Sequence, residues 1–242
     1  MSTTGTRPIP FEIGSALRSR IAAVQQFDIF LDIPPQECQA IVAGARERNF
    51  ERRRTVSAEL EESVFLLLSG CLKVTQLSAN GQPIIVRLNG PGDLLGYGGR
   101  AINSEHSSSA STLQPSIALV WQGKDFHSTV DRFPVLQRNI ARSLERQLDE
   151  IDARYREVST EKVGARLSSQ LLRLLSKVGK RAEHHVEIAL SRRDLAQLTG
   201  TTLFTVSRVL SHWESLGIVS GRREAVLIRD VSALIELTRG AE

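Results

Sequence analysis

The segment Ser191-Arg192-Arg193-Asp194-Leu195-Ala196-Gln197-Leu198-Thr199-Gly200-Thr201-Thr202-Leu203-Phe204-Thr205-Val206-Ser207-Arg208-Val209-Leu210-Ser211-His212 reads as two short helices joined by a tight turn. Ser191, with Asp194 three residues on, has the spacing of a helix N-cap, and Gly200 tolerates the left-handed conformation that ends a helix. Thr201 and Thr202 offer a second cap at once. In the second helix Val206, Val209, Leu210 and Trp213 recur at i, i+3, i+4 and i+7, which buries one stripe against its own domain. The opposite stripe holds Leu203, Phe204, Ser207, Arg208 and Ser211, with Thr202 at its start. Arg208 can meet a guanine in bidentate fashion or a phosphate, and Phe204 can lie against a thymine methyl. Two alternatives stand beside this reading: an ordinary helical hairpin, and a Phe204 tucked under the helix as core.

Past the second helix, Ile218-Val219-Ser220-Gly221-Arg222-Arg223-Glu224-Ala225-Val226-Leu227-Ile228 gives two short β-runs around a basic tip. A hairpin beside a helix pair is the layout of a winged helix. Arg222 and Arg223 at the tip would lie near a phosphate backbone, adding affinity without sequence information, or form a plain solvated turn.

The 242 residues suit two domains, and 41% apolar content suffices for proper cores. No apolar run reaches membrane-spanning length, and Met1 to Pro10 lacks the apolar stretch of a secretory signal, so no membrane partner and a cytoplasmic location are expected. Cys38 and Cys71 stand 33 residues apart with no ligand spacing around them, which reads as two buried small hydrophobes. Residues 161–242 carry 13 Lys/Arg against 9 Asp/Glu, whereas the preceding residues carry 18 of each. The whole net charge of +4 therefore sits in the half with the helix pair, where phosphate would be met. An enzyme is not expected: no phosphate-cradling glycine loop or nucleophile elbow occurs, and no catalytic residue or metal ligand set stands out.

Residues 63–121 change character, with β-rich runs at 63–68, 72–77, 83–88 and 116–121 punctuated by Gly70, Asn80-Gly81 and Asn89-Gly90-Pro91-Gly92. Asn80-Gly81 predicts a type I′ hairpin, and Asn89 to Gly92 a wider turn, giving a compact roll or barrel. A short helix follows at 124–130, and Pro134 then opens a long one. Along it Leu144, Leu148, Ile151, Tyr155 and Val158 alternate spacings of four and three, the seam of a coiled coil, with Ile140 on the flank. Charged residues, Arg154 among them, fill the other faces. Such a seam asks for a partner, and a symmetric homodimer suits paired DNA half-sites. Ser159-Thr160-Glu161 would cap a new helix from 163 to 177 and form the hinge. The expected fold is α+β: an arm (1–25), a β-roll sensor (26–130), a dimerisation helix and hinge (131–160), and a C-terminal winged helix-turn-helix (161–242).

Three separated motifs resemble the Crp/Fnr family of bacterial transcription regulators. They are the turn Gly90-Pro91-Gly92-Asp93-Leu94-Leu95-Gly96, the Arg166-Leu167 and Leu171-Leu172-Arg173-Leu174 pattern, and Leu190-Ser191-Arg192-Arg193-Asp194-Leu195-Ala196 through Val206-Ser207-Arg208-Val209-Leu210. The resemblance implies an effector held between β-roll and long helix that reorients the DNA domains of a homodimer, with a palindromic duplex site and RNA polymerase as partners. It places the effector pocket at Leu95, Gly96, Tyr97, Gly98, Ser107, Ser108, Ser109 and Ile151. The Gly-Glu pair and Arg-Ser by which cyclic-nucleotide members hold ribose and phosphate are replaced by Gly96-Tyr97 and the run His106 to Ser111. Without that guanidinium, cyclic AMP is not expected as a tight ligand. Leu94-Leu95-Gly96-Tyr97 looks like the Fnr branch, but two cysteines cannot supply an iron–sulfur cluster's four thiolates. Haem ligated by His106 or His127 stays an alternative, and His184-His185 with Glu187 is a weak metal pattern. A further alternative is a cyclic-nucleotide-binding module acting on protein partners.

Overall fold

The computed structural model describes residues 10–97 and 108–239. Helices α1 (Pro10–Val24) and α2 (Pro35–Ala43) precede strand β1 (Arg46–Phe50), helix α3 (Ser57–Glu62) and strands β2 (Ser63–Leu77), β3 (Pro83–Asn89), β4 (Leu94–Leu95) and β5 (Ser109–Gln122). The strands pair antiparallel in the order β1-β5-β2-β3, with β4 on β2. Alternation along β2 serves two cores. Val64 and Leu66 point to a cluster with Trp121, Phe126 and α2, while Phe65, Leu67, Leu72 and Val74 fill the roll with Phe50 and Ala118.

Two turns differ from the sequence expectation. Gly70 does not separate strands; β2 runs through it with φ +93° while its register against β5 shifts between Leu67 and Leu72. A side chain at Gly70 would strike the Pro115 carbonyl and Ser116, so the glycine marks a bulge where two long strands approach closely. Asn80-Gly81 is not a type I′ turn, since Asn80 keeps a negative φ and only Gly81 is left-handed, at +72°. Gly81 N donates to Ser78 O and Ser78 N to Gln82 O, a type I turn completed by a left-handed glycine. The wider turn at Asn89 to Gly92 forms as read, with Gly92 at φ +86° and Gly90 N donating to the Asp93 carboxylate at 2.8 Å.

Helix α4 (Gly123–Arg132) leads to α5 (Pro134–Thr160), which starts on its proline as expected. Leu136, Asn139 and Ile140 bury its first turns, and Asn139 Nδ2 donates to the carbonyls of Ile29 and Leu31. The hinge caps differ from the reading. Ser159 and Thr160 lie inside α5 with their hydroxyls bonded back to Tyr155 O and Arg156 O, and the next helix is entered at Lys162 without a side-chain cap. Local back-bonding competes with capping for such hydroxyls, and here the longer helix wins.

Helix α6 (Val163–Val178), strands β6 (Lys180–Ala182) and β7 (His185–Ile188), helices α7 (Arg192–Thr199) and α8 (Leu203–Ser215), strands β8 (Val219–Arg222) and β9 (Ala225–Ile228) and helix α9 (Val231–Thr238) complete the chain. Their sheet runs β6-β7-β9-β8. The hairpin expected at 218–228 is present, and the stretch with His184 and His185, noted in the sequence only as a weak metal pattern, forms a second hairpin. Among the described residues no group of three or more His, Cys, Asp and Glu could hold a metal, and no helix is long and apolar enough to cross a membrane. Both cysteines are buried, and desolvation pushes the Cys71 thiol up to about 12.

Leu167, Leu171, Leu174, Leu195, Val206, Leu210 and Trp213 form the C-terminal core, and Cys71, Ile85, Leu88 and Leu113 of the roll belong to the same cluster. The two halves are packed together. Because Gly70 meets both a left-handed backbone and a crowded neighbour, Gly70→Ala should destabilise the protein by about 1–3 kcal/mol in chemical denaturation. Gly81→Ala, with open space around it, should lose about 1 kcal/mol from backbone preference alone.

Candidate DNA-reading surface and interdomain cleft

The helix pair is built by the short-range bonds that the sequence encodes. Ser191 Oγ accepts from Asp194 N at 3.1 Å while the Asp194 carboxylate accepts from Ser191 N at 3.2 Å, a complete capping box. Gly200 ends α7 at φ 62°, and Thr202 caps α8 by accepting from Thr205 N. Val206, Leu210 and Trp213 are buried and Val209 half-buried, which turns Leu203, Phe204, Arg208 and Ser211 outward and leaves Ser207 half-buried. Phe204 is 77% exposed and so is no part of the core. Arg222 and Arg223 are exposed on the wing, where Arg222 lies 3.7 Å from Glu187. With Arg192 and Arg193 they line a shallow concavity between the starts of α7 and α8 and the wing.

Between β4 and α5 lies a cavity of about 470 Å³ that brings Gly96, Tyr97 and Ile151 together with Leu94, Leu144 and Leu148. Tyr97 stacks on His127 with ring centres 5.0 Å apart and meets Phe126 edge-on. Other residues singled out in the sequence go elsewhere. Leu95 faces the roll interior beside Phe65, Ser108 Oγ accepts from Gln76 Nε2, and Ser109 pairs with Thr75. Gly98, His106 and Ser107 lie outside the described residues. His127 is exposed, its Nδ1 2.6 Å from Gly123 O.

A second cleft, of about 440 Å³, opens where β3, the Gly92 turn, α5 and α6 meet, and it shares Arg87, Gln147 and Ile151 with the first. The sequence placed Arg154 among the charged residues on the other faces of α5 and gave no role to Arg87. Arg154 donates to Ile85 O and Val86 O of β3 and to Leu198 O of α7, and Arg87 Nη1 donates to Gln147 Oε1 at 3.0 Å. Gln147 and Arg154 stand one heptad apart, so both face β3; that spacing was the available signal. Burial, then the neighbouring Arg173, lowers the Arg154 pKa against the opposing pull of Glu157 and Glu150.

Further contacts join the halves. Lys73 of the roll donates to Asp194 at 2.8 Å, Lys177 meets Asp93 at 3.0 Å, and Glu224 at the wing tip pairs with Arg52 and Arg53. Gly90 admits α6: a side chain there would press on Lys177. Burial alone would raise the Asp194 carboxyl, but hydrogen bonds from Lys73 and Ser191 and the Lys73 charge hold it below the usual range.

Residues 47–133 match the cyclic nucleotide-binding domain, and residues 165–237 match the Crp-like helix-turn-helix domain. The chain belongs to the Crp/Fnr family of DNA-binding transcription regulators. It is 27% identical to the cyclic AMP receptor protein of Thermus thermophilus, over 88% of this chain and 97% of that one. It is 29% identical to the nitrogen fixation regulation protein FixK of Bradyrhizobium diazoefficiens, over 72% and 74%. In fold it is similar to a CRP-family transcriptional regulator from Thermus thermophilus, with a TM-score of 0.67 at 21% identity, over 79% of this chain and 96% of that one. Identities of 27% and 29% to these two regulators give the family and not a branch. Crp/Fnr regulators bind DNA as dimers.

In this Crp/Fnr regulator the capping carboxylate also ties reader to roll through Lys73, so the domain contact is expected to weaken in acid. A carboxyl that titrates lower when folded stabilises the folded state at neutral pH, and that contribution is lost as pH falls below the ordinary aspartate value of about 3.9 and through the folded one. Thermal melts between pH 7 and pH 3 should show the Asp194→Asn variant less stable at pH 7 by about 1–2 kcal/mol, the size of a lost cap. The gap to wild type should narrow on acidification.

Proposed function

We propose that the chain acts as a homodimer that reads a palindromic site, its reader domains oriented by an effector at the junction of roll and α5. The observation that carries this is the exposed stripe on α5. Leu144, Leu148, Ile151, Tyr155 and Val158 are each between 49% and 74% exposed, on a helix whose first turns are buried. A stripe of that size at coiled-coil spacing is explained by a second copy. Thr202, Leu203, Phe204, Ser207, Arg208 and Ser211 would then face bases, and Arg222 and Arg223 phosphates. Gly96, Tyr97 and Ile151 are the effector contacts this reading retains, with Leu95, Gly98, Ser107, Ser108 and Ser109 outside the cavity or outside the described residues. Cyclic AMP, named for the Thermus relative, is disfavoured by the loss of the Gly-Glu and Arg-Ser pairs, replaced here by Gly96-Tyr97 and the run His106 to Ser111; the cavity wall of Tyr97 and aliphatic side chains also holds Arg87, Ser143 and Gln147. RNA polymerase as partner, a cytoplasmic location and the absence of catalysis follow from the same reading, as do the domain limits at 25, 130 and 160.

Replacing Leu148 and Ile151 together with Lys should convert dimers to monomers in sedimentation velocity; a variant that stays dimeric assigns the contact elsewhere. For the reader, selection from random DNA should return paired half-sites about one helical turn apart with a guanine dependent on Arg208. Arg208→Ala should weaken that site by about 1–3 kcal/mol and blur the guanine, while Arg222→Ala weakens all sequences alike. Phe204→Glu should change the preferred base, since a carboxylate accepts from a cytosine amino group and a phenyl ring cannot.

A further inference from the structure

The charges around the cleft at β3, α5 and α6 do not balance. Its wall holds Arg87, Arg146, Arg154, Arg173 and Lys177 against Asp28, Asp93 and Glu150. Each acid is already engaged: Arg146 lies 3.2 Å from Asp28, and Lys177 lies 3.0 Å from Asp93 and 3.7 Å from Glu150. Arg173 forks onto Glu157 with bonds of 2.6 and 2.7 Å. Two guanidinium groups are left without a carboxylate among the described residues. Arg154 directs its hydrogens to three backbone carbonyls, which satisfy its bonds and not its charge. Arg87 has one neutral acceptor, Gln147, and its Nε is buried with no partner at all.

A buried cation with an unmet donor is unfavourable unless something anionic shares the site. We propose that this cleft binds a small organic oxyanion, a phosphorylated or carboxylated metabolite, with Arg87 as its anchor. The guanidinium that Arg87 presents to the cleft matches the oxygens of a carboxylate or phosphoryl group, and the volume suits a small molecule. Phe27, Pro91 and Leu174 supply apolar wall for the rest of the ligand. Burial lowers the pKa of Arg87 against the opposing pull of Asp93, in keeping with a charge short of compensation. The anchor comes from β3, not from the serine run where cyclic-nucleotide members place their arginine. This proposal rests on the reading of the junction as the regulatory site and gives that site its ligand chemistry.

The test is a thermal-shift and calorimetric titration of the full-length protein with pyrophosphate and, separately, citrate, at ionic strength held constant with chloride. At least one should raise the melting temperature saturably, and which one does identifies the phosphoryl or the carboxylate source. Arg87→Gln should weaken that binding by about tenfold or more, the size of a lost charge-assisted bond. Gln147→Glu places an internal carboxylate beside Arg87, so it should abolish anion binding while keeping the melting temperature at or above that of the anion-free wild type. Arg239→Gln, exposed at the end of α9 and outside the cleft, should bind within about twofold of wild type, since its loss removes no buried donor. Failure of both anions to stabilise the wild type, or wild-type binding by both Arg87→Gln and Gln147→Glu, overturns the proposal. A gel shift on the same samples separates the layers: operator binding without any anion effect removes only the ligand assignment, whereas a wild type that binds no DNA removes the regulatory reading beneath it.

Discussion

The guanidinium of Arg154 is the fixture on which the arrangement of the two halves depends. It stands on α5 and reaches Val86 O at 2.7 Å, Leu198 O at 2.9 Å and Ile85 O at 3.1 Å. The two elements that supply these acceptors need it for different reasons. β3 is the edge of its sheet, so its outward carbonyls have no strand to pair with, and Leu198 sits in the last turn of α7, whose carbonyls lack helical partners and carry the negative end of the helix dipole. One planar cation therefore satisfies a sheet edge and a helix end at once, from a third element. Lysine could not hold three such acceptors in a fixed plane.

Around that point the apolar and polar contacts divide the work. Cys71, Ile85, Leu88 and Leu113 give the roll a greasy patch continuous with the reader's core, and removing that apolar area from water favours the contact. The ion pairs set its register. Lys73 on Asp194 is partly buried and doubles as support for the capping box, whereas Glu224 on Arg52 and Arg53 involves side chains up to 70% exposed. Exposed pairs of the second kind contribute only about 0–1 kcal/mol each, so the wing tip is held more loosely than the start of α7.

What was legible in the sequence was what short-range bonding decides. Ser191 with Asp194, Gly200 and Thr202 form the caps their spacing announces, because each bond spans three or four residues and answers to nothing distant. The exposed apolar stripe on α5 was legible for a related reason, since periodicity is local to the helix. Gly70 and Asn80-Gly81 were misread because a glycine reports only that a left-handed conformation is allowed; whether it makes a turn or a bulge depends on the strand opposite. The β6 and β7 hairpin escaped because Lys180-Arg181-Ala182 has no alternation and every residue in it is exposed. Of the effector contacts among the described residues, Gly96, Tyr97 and Ile151 converge and Leu95, Ser108 and Ser109 do not, and the roles of Arg87 and Arg154 were invisible because a charge on a strand or helix flank looks solvated until the element packed against it is known.

The cations that bind the halves together and the cations left uncompensated share one cleft, so anything anionic entering it acts on the contact itself. A ligand can shift a two-state arrangement only by its difference in affinity for the two states. Arg154 and Lys177 each bridge elements that belong to opposite halves, to Leu198 and to Asp93, and an anion beside Arg87 competes with Asp93 for Lys177 and draws on the field that holds Arg154 in place. The binding energy thus acts at the joint rather than being transmitted to it. A relay of side chains across the roll is not needed, and the buried stretch of α5 near Asn139, firmly tied to Ile29 and Leu31, can stay fixed while the reader end moves.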